Sequence, residues 1–529
     1  MPKEVKVARV QDFQDGDMRE VALGDAKLVL ARVKGKFYAL HGECTHYGGP
    51  LAEGALNGPR VVCPWHHAAF DLTTGGLLEP PALDHPTCFT VRVDGDDVYI
   101  QTPDKLENRS VPPMVKRDPA EGRTFVILGA GAAGNAAAET LRQDGFTGRI
   151  LLLSQEQRLP YDRPNLSKGY LSGEAGPETL PWREEKFYQD YDIELLFGRR
   201  AAAVDVPQKT ITLADGASLA YDGLLLATGG LPRPLAAPGA GLGNVFTLRT
   251  PEDADQIIRA AVPGAKAVCI GASFIGMEAA ASLTKRGLAV TVAGRGSIPF
   301  ERQLGPEIGR LLMQVHEEKG VSFRLGRKVA RLVGDDRVRQ VVLDDGAALE
   351  ADLVVVGLGA VPATGFIRGL SLEPDGSIRV DQYLKASESV YAAGDIARFP
   401  DWRTGEPIRI EHWRLAAQHG RTAAHNLAGK PAAFAGVPFF WSEHFDQFLQ
   451  YVGYAATWDE LIIQGDLAAR NFLALYVKGG RILAAAGLNH DRQLAALSEL
   501  MRMDKLPAPD AVRREARSDF AAQLKALQT

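Results

Sequence analysis

A chain of 529 residues is too long for a single hydrophobic core and is expected to divide into three or four domains. Its 46% apolar and 24% charged residues are those of a globular protein, and a formal charge of −5 gives no electrostatic footprint for nucleic acid. Four cysteines make no disulfide scaffold, and no apolar run approaches the ~20 residues of a membrane span. The opening residues 1–4 carry no apolar run of signal type, so a cytoplasmic protein is expected. Glycine is the outlier, at 55 residues, and points to turns that approach a ligand closely.

Residues 1–105 read as an all-β domain, with short β-branched and aromatic runs at 27–33, 37–40 and 90–93 between Gly and Asp breakers. Two cysteine–histidine pairs interrupt them: Cys44-Thr45-His46, and, after sixteen intervening residues, Cys63-Pro64-Trp65-His66. Two loops, each offering one thiolate and one imidazole, suit a binuclear iron–sulfur cluster with two Cys on one iron and two His on the other. A zinc site of two Cys and two His is the competing reading, but the spacing and the lack of a following helix do not match a zinc finger. The segments CTHYGGPL and CPWHHAAFDLTTG resemble the Rieske family over nearly all of residues 1–105. That resemblance makes Cys44, His46, Cys63 and His66 the ligands of a Rieske 2Fe–2S cluster, with His67 a neighbour. High-potential Rieske proteins carry hydroxyls where this chain has Ala68 and Phe70, so a potential near the low end of the range, roughly −150 mV, is expected.

Residues 106–122 are rich in proline and charge and read as a linker. At 123 the pattern changes to a buried strand, the run Gly129-Ala130-Gly131-Ala132-Ala133-Gly134, an Ala-rich helix and a second strand at 149–153. This is the dinucleotide-binding fingerprint, with Gly129 at the tight turn, Gly131 beside the pyrophosphate, Ala133 in the loop and Gly134 where helix meets strand. Glu156, just after the second strand, is the candidate for the ribose, with Gln155 as the alternative.

The segment Leu159-Pro160-Tyr161-Asp162-Arg163-Pro164-Asn165-Leu166-Ser167-Lys168 resembles the signature of ferredoxin reductases and apoptosis-inducing-factor-like flavoproteins. The resemblance implies FAD contacts by Arg163 and Lys168. It also implies a domain-crossing loop at Thr228-Gly229, a second flavin motif at Gly394-Asp395 with the acid on the ribityl chain, and flavin-side positions at Glu411, His412, Trp413 and Trp441.

A second fingerprint at Gly271-Ala272-Ser273-Phe274-Ile275-Gly276 departs from G-x-G-x-x-G only at Ser273, and Glu278 follows on its helix. By resemblance Glu278 stands at the nicotinamide–flavin contact, and Glu278 and Lys168 are the candidate catalytic residues. Gly294 lacks the carboxylate that holds the ribose of NAD, while Arg295 suits a 2′-phosphate, which tilts the cofactor toward NADPH over NADH. The run Ala360-Val361-Pro362-Ala363-Thr364 after Gly359 resembles the family's GxxPNT loop, which implies that it closes this domain.

The fold class is therefore multidomain: an all-β Rieske domain, then an α/β flavoprotein reductase with two dinucleotide-binding domains, then a C-terminal α+β domain. The expected boundaries are 1–105, 106–122 (linker), 123–249 (FAD), 250–372 (NAD(P)), 373–435 (FAD) and 436–529 (C-terminal). Over its whole length the chain resembles Rieske-bearing, apoptosis-inducing-factor-3-like reductases. The resemblance implies electron transfer from NAD(P)H through FAD to the cluster and on to an acceptor protein or small molecule. A homodimer is compatible with it, and nucleic acid is not among the expected partners. A redox sensor and a ferredoxin-reductase component of an oxygenase system are the alternatives. A disulfide reductase is not, since Cys269 is the only cysteine beyond residue 88. Sequence alone leaves open whether the Rieske domain docks on its own chain.

Overall fold

The structure is a computed structural model that describes residues 3–102, 107–515 and 517–528. It divides into two compact units: Met1–Met114 with Ala435–Trp441 and Gln450–Thr529, and Val115–Phe434 with Ser442–Leu449. The grouping joins the expected Rieske and C-terminal segments in one unit.

In the first unit the N-terminal segment forms small antiparallel sheets. Strands Met18–Leu23, Ala26–Val33, Lys36–His41 and Cys88–Phe89 make a four-stranded sheet, and Lys3–Arg9, Asp97–Thr102 and Val91–Asp94 a three-stranded one. A third sheet, Ala55–Asn57, Arg60–Val62, Ala69–Asp71 and Leu77–Glu79, carries the second Cys–His loop at the turn between its two middle strands. Alternation along these strands sends Val29, Ala31, Leu40, Val61 and Phe70 into one core and Leu28, Leu30, Phe37 and Ala39 into another. Part of the expected linker is tied down, because Arg109–Ser110 pairs antiparallel with His85–Pro86. Linker residue 106 lies outside the described residues, and from Val115 the chain belongs to the second unit.

The C-terminal segment of this unit is an antiparallel sheet with helices Asp491–Arg502 and Phe520–Ala526. The strand pair expected between 470 and 486 is Asn471–Lys478 and Arg481–Leu488, turned at Gly479-Gly480. Its apolar residues Phe439, Leu475, Leu494 and Leu497 share one core with Ala55, Val62 and Ala69 of the N-terminal segment. Around that core Glu499, 2% exposed, accepts from Arg60 and from Asn57, both at 2.8 Å. Lys525 reaches Asp17 at 2.6 Å. The Rieske segment thus docks on the C-terminal segment of its own chain.

The second unit carries two sheets of mainly parallel strands, with the edge strand Lys385–Ser387 of the first antiparallel to its neighbour. The first, six-stranded, runs Ile193–Leu196, Arg149–Leu153, Thr124–Leu128, Gly223–Leu226, Val390–Ala392 and Lys385–Ser387. The second, five-stranded, runs Val245–Thr247, Leu353–Val356, Lys266–Ile270, Ala289–Gly294 and Ser322–Leu325. Their central strands are unbroken apolar runs, as sheets covered on both faces require. In each sheet the central strand feeds a glycine turn and a helix, Ala132–Gln143 in the first and Phe274–Lys285 in the second. Among the described residues no helix is long and apolar enough to cross a membrane.

Candidate functional site

In the first unit the four expected cluster ligands come together in like pairs. The Nδ1 atoms of His46 and His66 face each other at 3.2 Å, and the Cys44 and Cys63 thiols hydrogen-bond to one another. That hydrogen bond and burial push the Cys44 thiol up. Burial also opposes ionisation of Cys63, but the Cys44 thiol and the backbone amides of Trp65 and His66 hold it below its usual range. Backbone amides of His46 and Tyr47 donate to Cys44 in the same way. Thiol with thiol and imidazole with imidazole is the division a 2Fe–2S cluster of this type requires. Gly49 lines the cradle, and a Cβ there would stand 2.8 Å from the Cys63 Sγ. The residues present therefore fit the group. His67 turns away, fully buried and stacked on Phe439 at 3.8 Å between ring centres. Ala68 and Phe70 are buried and offer no hydroxyl.

Trp441, expected beside a flavin, lies in this unit with its ring 4.3 Å from that of His66. Tyr47 and Trp65, which border the ligands in sequence, are exposed. Sequence reasoning missed Gln450, which is fully buried and donates to the Pro64 carbonyl at 3.0 Å.

In the second unit, Gly129 adopts φ +115°, and a Cβ on Gly134 would lie 1.8 Å from the Gly129 oxygen, so only glycine allows helix and strand to meet there. Gly131, the residue before helix Ala132–Gln143, makes no side-chain cap and faces open space, with no heavy atom within 4 Å of where a Cβ would stand. The amides of Ala132 and Ala133 are thereby left for a phosphate, and this end of the sheet fits the pyrophosphate of FAD. Glu156 accepts from the Tyr161 hydroxyl at 2.8 Å and from Arg163 at 3.1 Å, and Arg163 also donates to the Arg249 carbonyl.

Thr228 donates to the Ala363 carbonyl at 2.8 Å, and Gly229 beside it has φ +66°. Asp395 pairs with Arg249 at 3.0 Å, while the Gly394 amide donates to His419 Nδ1 at 3.3 Å. The other nitrogen of His419 is buried with no protein partner, as expected for a wall that a ligand completes. Glu411 pairs with Arg409 at 2.6 Å, His412 stands edge-on to Phe274, and Trp413 lies against Trp182 at 4.6 Å.

The sharpest constellation is at Glu278, 4% exposed. Lys168 Nζ and Ser442 Oγ both reach its carboxylate at 2.7 Å, and Ser167 Oγ donates as well. Glu278 and Lys168, 110 positions apart in sequence, are thus one ion pair; the two serine donors were not anticipated. The second fingerprint repeats the geometry of the first, with Gly271 at φ +118° and a Cβ on Gly276 only 1.9 Å from the Gly271 oxygen. Ser273 precedes the helix without a side-chain cap, Arg295 is exposed directly after strand Ala289–Gly294, and Gly359 has φ +87° with open space around it.

Comparison with known proteins extends this geometry. The family described as pyridine nucleotide-disulphide oxidoreductase matches residues 123–420, the Rieske 2Fe–2S domain family residues 3–93 and the reductase C-terminal family residues 439–527. The chain is similar to apoptosis-inducing factor 3 of Homo sapiens, 41% identical over 94% of this chain and 84% of that protein. It is similar to putidaredoxin reductase of Pseudomonas putida, 34% identical over 72% of this chain and 92% of that protein. Among solved structures it resembles the covalent putidaredoxin reductase–putidaredoxin complex, with TM-score 0.73, 32% identity and coverage of 77% of this chain and 99% of that one.

Proposed function

Since the chain belongs to the pyridine nucleotide-disulphide oxidoreductase family, as an FAD-dependent, ferredoxin-reductase-like oxidoreductase with a Rieske domain, we propose that it carries electrons from NAD(P)H through FAD to its own Rieske cluster and on to an external acceptor. FAD supplies two-electron chemistry with the nicotinamide, and the 2Fe–2S cluster supplies one-electron chemistry toward the acceptor. The family name does not extend to disulphide chemistry here: all of the four cysteines are free, and Cys269 is buried in a strand.

The protein's own residues orient and insulate. The uncapped helix starts at Ala132 and Phe274 hold pyrophosphates, Arg295 meets the 2′-phosphate of NADPH, and Glu278 fixes the Lys168 ammonium in a buried, water-poor position. One observation carries the proposal, a pair of consecutive residues. Trp441 packs on the cluster ligand His66 within the first unit, and Ser442 donates to Glu278 within the second. Consecutive residues of one chain thus take part in the cluster site and in the flavin unit, so both redox groups belong to the same polypeptide, which supports transfer within it.

The acceptor is proposed to be a small redox protein or a small molecule, a reading supported by the similarity to putidaredoxin reductase, whose solved complex contains putidaredoxin. The test is anaerobic titration of purified protein with NADPH and with NADH, followed by visible absorption and low-temperature EPR. Bleaching of the flavin with growth of a Rieske-type signal is expected. Bleaching without that signal, with zinc on metal analysis, would leave a flavin reductase and remove the path.

A further inference from the structure

We infer that Gln450 and Asp491 of the C-terminal domain are positioning residues that tune the Rieske cluster in opposite directions; the inference rests on the cluster assignment above. Gln450 lies on strand Gln447–Gly453, fully buried, and its Nε2 donates both to the Pro64 carbonyl at 3.0 Å and to Asp491 Oδ1 at 3.1 Å. Pro64 stands between Cys63 and Trp65, and its carbonyl shares a rigid peptide plane with the Trp65 N–H. That N–H is one of the amides that donate to the Cys63 sulfur. Gln450 therefore grips the oxygen end of the very peptide whose hydrogen end serves the sulfur. A donor on the carbonyl polarises the peptide and strengthens its N–H as a donor. Hydrogen bonds to sulfur stabilise the reduced, more negative cluster, so Gln450 holds the potential up.

Asp491 acts the other way. It opens helix Asp491–Arg502, and its carboxylate shares the Gln450 amide nitrogen with the Pro64 carbonyl next to Cys63, so a negative charge held beside the cluster site opposes addition of an electron to the cluster. Burial and the nearby Glu53 carboxylate push Asp491 up to about 6, so at pH 8 it carries its charge. The Gln450 Oε1 is buried with no partner, which leaves the amide of this side chain as its only working end. A Gln whose sole function was to fill the core would be poorly chosen, because it leaves one polar atom unsatisfied.

The experiment measures the EPR spectrum and midpoint potential of the full-length holoprotein at pH 8, in the wild type and in Gln450→Met and Asp491→Asn, with flavin content as the folding control. Gln450→Met removes the donor at similar size, and Asp491→Asn removes the charge while keeping an acceptor for Gln450. A negative shift of the cluster potential in Gln450→Met and a positive shift in Asp491→Asn are expected, with displaced EPR g values in the first. Unchanged potentials in both variants, or shifts of one sign in both, would overturn the inference. If Gln450→Met does not retain flavin, the sign of the Asp491→Asn shift decides alone. Absence of any Rieske signal in the wild type would instead remove the cluster assignment itself.

Discussion

At the residue scale the chemistry concentrates on a few charges whose neighbours the sequence names only in part. Arg295 stands out because a strand end, a missing carboxylate and a cation occupy three consecutive positions, which makes it the proposed contact of a 2′-phosphate, and the structure leaves the side chain exposed beyond Ala289–Gly294. A charge-assisted contact to a 2′-phosphate contributes about 1.5–3 kcal/mol. Arg295→Glu should therefore lower kcat/KM for NADPH by roughly ten- to a hundredfold and leave NADH little changed. Steady-state kinetics with both nucleotides check this, and equal effects on the two would remove Arg295 from the specificity argument. Glu278 is different in kind, because two of its donors, Ser167 and Ser442, come from segments remote in sequence. Glu278→Gln keeps the shape but removes the countercharge of Lys168, so stopped-flow reduction of the flavin should slow by about tenfold or more, ~1.4 kcal/mol of barrier. Unaltered reduction would make the pair structural.

At the element scale, what could be read in advance was whatever is written in adjacent residues. Strand, glycine turn and helix at 124–143 obey local rules of close approach, and the observed Thr124–Leu128 and Ala132–Gln143 follow them. The strand pair around Gly479-Gly480 was legible for the same reason. The contact of the Rieske segment with the C-terminal helices was not, since Asn57 and Glu499 lie 442 positions apart and neither carries a motif. Trp441 illustrates the limit: the resemblance marks it as a flavin-side position, and its ring contact with His66 was not written in any adjacent residues.

Glu499 fastens that contact. Burial alone would raise its carboxyl, but Arg60, Arg502 and Asn57 outweigh it and hold the carboxylate below its ordinary range. The lowered group contributes stability above its unfolded pKa, and that contribution is lost as pH falls through the folded value. Truncation leaves Arg60 without its partner in a largely buried place, so Glu499→Ala should cost about 3 kcal/mol. Hydrogen exchange should then rise across 55–71 and 491–502 together. Exchange that rises in the helix alone would show that the Rieske segment is held by other contacts.

At the scale of the whole molecule, the second unit carries an acid-sensitive burden that no motif announced. His316, His419 and His444 are fully buried. Nε2 of His316 meets Nδ1 of His444 at 3.1 Å, and each ring keeps a buried nitrogen with no protein partner. Burial lowers all three, to about 2 for His316, where His444 adds to the effect, and to about 3 for His419 and for His444, where the Lys168 charge adds. A histidine that binds its proton more weakly folded than unfolded penalises the fold once the unfolded chain begins to protonate near pH 6.5. Stability from these groups is therefore complete above pH 6.5 and falls as pH drops toward 3. Each group costs about 1.4 kcal/mol per pH unit in that window, so the three together should remove about 4 kcal/mol between pH 7.5 and 5.5. Urea unfolding followed by flavin absorbance should show a clearly lower midpoint at pH 5.5 than at pH 7.5. Replacing the pair, as His316→Leu with His444→Phe, should reduce that difference by about half, because His419 and His412, the latter lowered to about 4 by burial, still titrate in the same window. Equal midpoints at the two pH values in the wild type would mean that the unit opens to admit protons without unfolding, and the buried pair would then be a site of local opening.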